Sequence, residues 1–202
     1  MSAAVVSEQL WWYLARATGI VAWVAITLAV VWGLMLSTRV LGRTAAPAWL
    51  LDLHRHLGAL ALVFTGLHMA ALVADSYVEF GWVDLLVPFG SAYETNAVAW
   101  GVIGFWFLVA VELSSVLRRR IRASVWRWIH RRRWGLFVLV TVHGLPIGTD
   151  VRHPAYRGLA IGSIQLVLFL TIVRIIAGRR ARQRPTVAPA GARGQVSAST
   201  TS

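Results

Sequence analysis

The sequence predicts an all-α membrane protein, a bundle of five transmembrane helices, on three observations. Only 14% of the residues are charged and 57% are hydrophobic, whereas a soluble domain carries about 25% charged residues. Apolar runs of about 20 residues recur along the chain, the length a helix needs to cross the hydrocarbon core of a bilayer. The arginines cluster beside those runs, as topology-setting charges do. That placement also accounts for the net charge of +12. It points to a lipid bilayer as the partner and not to nucleic acid. Cysteine is absent, which excludes disulfides, iron–sulfur clusters and thiolate ligation of a metal.

The first span is expected from about Leu10 to Leu36. No basic residue precedes it and no small-residue cleavage site follows a short core, so it reads as a retained helix and not a secretory signal. The second, from about Leu50 to Ala74, carries His54, His56 and His68. The third, from about Ala97 to Leu117, is interrupted only by Glu112. The fourth is expected from about Val125 to Leu145. Its wholly apolar part begins at Trp134, so it must take the WRWIHRRRW stretch at an interface. The fifth runs from about Tyr156 to Ala177, with Arg174 near its end. The long loop from Asp75 to Asn96 contains VEFGWVDLLVPFGS. This segment is apolar but too short to span, and predicts an interfacial or re-entrant element. Three regions follow: a short outer N-terminus over residues 1–9, a membrane domain over 10–178, and a tail over 179–202. The tail is basic at first and then rich in Pro, Ala, Ser and Thr, a composition that predicts disorder.

The loops set an orientation. Arg39 and Arg43 fall in the first loop. Arg118, Arg119, Arg120, Arg122, Arg127 and Arg131 to Arg133 fall in the third, and Arg179, Arg180, Arg182 and Arg184 in the tail. With five spans all three lie on one side, which the positive-inside rule makes cytoplasmic. The opposite loop holds Asp75, Glu79, Asp84 and Glu94. The N-terminus is therefore expected outside and the C-terminus inside.

Four histidines stand out against this frame. His54 and His68 are 14 residues apart on the second span; His130 and His143 are 13 apart on the fourth. Each pair covers roughly 20 Å of helix. Both spans run from inside to outside, so the histidines match by depth. His54 pairs with His130 near the cytoplasmic face, and His68 with His143 near the outer face. A histidine near each face on two helices is what two stacked haems need. A step of 14 residues lands roughly 40° from the starting face, whereas taking His56 in place of His54 gives roughly 120°. His54 is therefore the expected ligand and His56 a neighbour. The 13-residue step from His130 to His143 is roughly 140° off on an ideal helix. It requires local tightening or bending, with Gly135 the nearest candidate.

Other residues have both a functional and a plainer reading. Gly58, one turn after His54, with Gly66 and Gly144 near the other histidines, leaves room for a flat macrocycle or for close helix packing. Arg16, Arg55, Arg131 and Arg133 are candidates to hold carboxylate side groups of such a cofactor; they also fit snorkelling and topology-setting charges. Glu112 answers an arginine or handles a proton. His153, beside Pro154, reads as solvated, and most of the eleven tryptophans as an interfacial belt. A transport or proton-relay site would place carboxylates at the histidines' depth; Glu112 is the only acid in the interior of a span, with Asp52 at the start of the second.

These residues resemble the ferric reductase-like transmembrane domain family, shared by ferric reductases and NADPH oxidases and including the haem-binding partner of periplasmic methionine sulfoxide reductase. The resemblance covers about residues 10 to 178. It rests on LWWYLARATG, on LHRHLGALALVFTGLH across His54 to His68, and on WIHRRRWGLFVLVTVHG across His130 to His143. It implies two b-type haems, with His54 and His130 on the inner iron and His68 and His143 on the outer. It implies electron transport across a bacterial cytoplasmic membrane, as the haem component of an oxidoreductase. The chain departs from the fused members in showing no glycine-rich phosphate loop, hence no flavin or nicotinamide site. Its donor is then expected to be a separate cytoplasmic flavoprotein or a membrane quinol. The outer acceptor would be ferric chelate, oxygen or a periplasmic reductase. A quinol-fed subunit of such a reductase is one alternative; a haem-free transporter or membrane scaffold is the alternative from another class. Family members commonly have six spans, which leaves the equivalence of the first helix open.

Overall fold

The computed structural model describes residues 3–38 and 48–183. Arg39, Arg43, Arg184 and the Pro- and Ser-rich tail lie outside the described residues. Among the described residues every regular element is helical. Seven α-helices follow one another: α1 (Ala3–Thr38), α2 (Ala48–Ala74), α3 (Trp82–Leu86), α4 (Thr95–Val116), α5 (Ala123–Arg131), α6 (Trp134–Ile147) and α7 (Pro154–Gln183). Short 3₁₀ turns follow α4 and precede α7.

Four of these, α1, α2, α4 and α7, contain stretches long and apolar enough to cross a membrane. They correspond to the first, second, third and fifth expected spans. The fourth is not one continuous helix. It breaks at Arg132 and Arg133 into amphipathic α5 and apolar α6, and α6 has only 14 residues. The charges supply the reason. Arg131, Arg132 and Arg133 follow one another, and a continuous helix would carry three adjacent cations around most of its circumference. At the break the backbone tightens, with i to i−3 hydrogen bonds from Arg132 to Ile129, Gly135 to Arg132 and Leu136 to Arg133. Each residue wound this way adds roughly 20° of turn relative to an α-helix. The sense is the one the 13-residue histidine step requires.

The loop after α2 forms the predicted short element. Asp84 accepts a hydrogen bond from the Gly81 amide at 2.8 Å and so caps α3. The indole of Trp106 donates to the Leu86 carbonyl at 2.8 Å, tying α3 to α4. Two non-glycine residues in this loop, Phe89 and Glu94, take positive φ, and Glu94 precedes the first turn of α4.

α1, α2, α4 and α6 close a ring. α1 packs along α2, α2 meets α4, α4 packs on α6, and α6 returns to α1; α7 lies against the outside of α1. The core joins Ile26, Val30 and Leu34 of α1 to Ala61, Leu108, Leu136, Phe137 and Val167. Leu166, Leu168, Phe169, Ile172 and Ile175 of α7 stay exposed. So large an uncovered apolar face is costly in water and natural against lipid tails.

A buried hydrogen bond links α1 to α6, from Trp23 Nε1 to Thr141 Oγ1 at 3.1 Å. Interhelical bonds of this kind contribute about 0.6 kcal/mol and at most about 1.7 kcal/mol in membrane bundles. Trp23→Phe and Thr141→Val should each cost about that much in detergent unfolding, and the double variant little more than either. Full additivity would show that the bond contributes nothing.

Candidate cofactor site

The ring of helices encloses two cavities, one around each histidine pair. The imidazoles of His54 and His130 face each other with ring centroids 6.0 Å apart and planes at 85°. Those of His68 and His143 do the same at 6.4 Å and 77°. The expected pairing is thus the pairing found. His56 stands apart: it is exposed, and its Nδ1 lies 2.7 Å from the Asp52 carbonyl of its own helix.

Elementary geometry gives these separations a meaning. Two imidazoles bound to one metal at about 2 Å, each ring centre about 1 Å behind its nitrogen, have centroids roughly 6 Å apart. Both pairs fit that spacing. Among the described residues no group of three or more His, Cys, Asp or Glu forms a metal site. A bare ion needs at least three or four protein ligands. Two imidazoles supply two ligands, which suits a metal whose remaining ligands come with it.

The second pair is also fixed in tautomer. His68 Nδ1 is 2.8 Å from the Ala15 carbonyl of α1, and His143 Nδ1 is 2.8 Å from the Ala97 carbonyl of α4. A carbonyl only accepts, so each Nδ1 carries the hydrogen and each Nε2 keeps its lone pair for a metal. The first pair is built differently. His54 Nδ1 and His130 Nδ1 are buried without a hydrogen-bond partner; the approach of His54 to the Ala29 carbonyl falls short of hydrogen-bond geometry. His130 instead stacks on Trp126, one turn earlier on α5, at 4.7 Å and 19°.

The cavities differ in size. The one at His68 and His143 holds about 320 Å³, the one at His54 and His130 about 100 Å³. Glu112 and Arg133 take up space in the smaller. The Glu112 carboxylate lies against Gly58, where a Cβ would collide with it. Arg133 donates from Nη2 to the Gly33 carbonyl, and its Nε is buried without a partner. Ile26 and Leu108, each 3% exposed, belong to the walls of both cavities and separate them.

The other sequence candidates divide. Arg16 lines the larger cavity, with its guanidinium 4.1 Å from the centre of the Trp12 ring. Arg55 lines the smaller and is 3.3 Å from Asp52. Arg131 is exposed and lines neither cavity; Arg133, two residues on, does. Gly58 is buried in the wall as expected, but Gly66 is exposed and meets nothing. Gly144 lines the larger cavity. Sequence reasoning missed Trp126, whose signal was an aromatic residue one turn before His130, and the carbonyls of Ala15 and Ala97.

The fold and site define a class: an all-helical bundle with apolar, membrane-length helices and two buried, opposed imidazole pairs. Comparison with family models, curated proteins and solved structures returned no match for this chain.

Proposed function

We propose that this chain carries electrons across a membrane through two b-type haems, one between His54 and His130 and one between His68 and His143. The observation that carries the reading is the pair of opposed imidazole couples at 6.0 and 6.4 Å, in a protein with no conventional metal cluster among its described residues. His54 with His130, and His68 with His143, would hold a haem at each site, and the haem would supply one-electron chemistry there.

The chain's own residues do the rest. His68 and His143 present Nε2 in a fixed orientation because Ala15 and Ala97 hold their Nδ1 hydrogens. Such outer bonds make an imidazole a stronger donor. Ile26 and Leu108, both buried, place aliphatic side chains between the sites. Arg16 at one end, and Arg55 and Arg133 at the other, place cations where acidic side groups of a porphyrin would sit.

In this reading α5 and α6 together make the fourth crossing, for five in all. The arginine-rich α4–α5 corner then faces the cytoplasm, with the N-terminus outside and the C-terminus inside. The His54–His130 site is the inner one and receives electrons; the His68–His143 site is the outer one and passes them on. The sequence has no glycine-rich phosphate loop, which supports a donor outside these residues, a flavoprotein or a quinol. The outer acceptor would be ferric chelate, oxygen or a periplasmic reductase.

The test is a reduced-minus-oxidised spectrum of the full chain, purified from cells supplied with haem precursor. Two b-type haems per chain are expected. No b-type absorbance would sink the reading and leave a haem-free transporter or scaffold.

A further inference from the structure

We infer that Gly19 of α1 and Gly101 of α4 are positioning residues, each forming with the carbonyl four residues earlier a seat that fixes His68 or His143 as its Nδ1–H tautomer. The inference rests on the site proposed above and concerns how that site is held.

The two seats share one pattern. His68 bonds to Ala15, and a Cβ on Gly19 would lie 3.0 Å from His68 Nδ1. His143 bonds to Ala97, and a Cβ on Gly101 would lie 2.6 Å from His143 Nδ1. Both are Ala-x3-Gly on a helix facing the histidine. Helix geometry explains the spacing. The carbonyl of residue i already accepts the amide of i+4, and only its second lone pair is free. The Cβ of residue i+4 tilts toward the N-terminus, over that same carbonyl. Only glycine at i+4 leaves the second lone pair open to a ring as wide as imidazole.

α1 carries the pattern twice. Ala29 and Gly33 lie 14 residues after Ala15 and Gly19, matching the 14 residues from His54 to His68 on antiparallel α2. Here the space is taken by Arg133. A Cβ on Gly33 would meet its guanidinium at 2.9 Å, and the arginine bonds to the Gly33 carbonyl. His54 Nδ1 is left without a partner. The fold therefore seats the outer histidines and leaves the inner ones unseated.

The test uses the full chain in detergent, labelled with ¹⁵N-histidine and prepared without haem. His68 and His143 should show protonated Nδ1 and bare Nε2. In Gly101→Ala the His143 signals should lose that pattern while those of His68 keep it. Gly19→Ala should do the reverse more mildly, because its Cβ clearance is greater, and it serves if Gly101→Ala does not fold. Gly104→Ala is the packing control, since its Cβ would meet Val140 at 3.3 Å and no histidine; it should change neither. In haem-loaded protein Gly101→Ala should shift the outer midpoint potential upward and leave the inner unchanged, because a weaker donor favours the ferric state less. Finding His68 or His143 protonated on Nε2 overturns the inference, as do wild-type histidine spectra in both glycine variants. If the chain takes up no haem, the electron-transfer reading fails, and the ¹⁵N spectra still decide the seats.

Discussion

On the two-haem proposal, His68→Ala should lower the haem content from two per chain to one. Among the described residues His68 and His143 are the paired imidazoles at their end of the ring, so alanine leaves one imidazole there. The other pair is about 14 residues away along α2, roughly 20 Å, and shares only Ile26 and Leu108 with it. Its haem should stay at full occupancy with an unchanged spectrum. His54→Ala should remove the complementary spectral component. His56→Ala should remove neither, since His56 is exposed and bonded within its own turn. The measurement is haem per chain by pyridine haemochrome together with a resolved redox titration. Two haems retained in His68→Ala, or the same component lost in both histidine variants, would refute the pairing.

Gly58→Val should empty the inner site alone. Gly58 is buried one turn after His54, and its missing side chain is where the Glu112 carboxylate lies. A branched side chain there meets Glu112 on one side and the small cavity of about 100 Å³ on the other. Overpacking of this kind costs typically 1–3 kcal/mol, and displacing Glu112 into the cavity also removes the room a macrocycle needs. Occupancy should fall to about half of wild type, with the loss confined to the inner component. Gly66→Val, eight residues on, is the matched control: a Cβ there meets nothing, and both haems should remain. Loss of the outer component in Gly58→Val, or full occupancy, would show that Gly58 does not shape the inner cavity.

Most of the histidine geometry was legible in the sequence because it follows from parity and pitch. Two spans of the same direction bring residues of equal depth together, and a 14-residue step keeps His54 and His68 near one face where a 12-residue step would not. The 13-residue step also carried information. Its misfit on an ideal helix calls for tightening or bending near Gly135, and the helix breaks just before it, at Arg132 and Arg133, although hydropathy alone joins α5 and α6 into one span. Three adjacent arginines were the physical sign against a single helix. What remained hidden lay on helices without histidines. The Ala15–Gly19 and Ala97–Gly101 seats became visible only once α1 and α4 were opposite the imidazoles. Glycines were sought beside the histidines, where Gly66 proved idle, and not across from them. Arg131 is one residue after His130 and Arg133 one before Trp134, and only the turn at the break decides which one enters the cavity.

Ile26 and Leu108 have a consequence for energy conversion. A partition of two aliphatic side chains offers no hydroxyl or carboxylate along which a proton could follow. On the proposed electron-transfer reading, an electron crossing it would travel unaccompanied, and turnover would be electrogenic. Each charge moved across the full barrier works with or against about 2.3 kcal/mol per 100 mV of membrane voltage. Reconstituted in vesicles with a reductant on one side and an impermeant acceptor on the other, the protein should slow as a voltage builds and speed up when an ionophore collapses it.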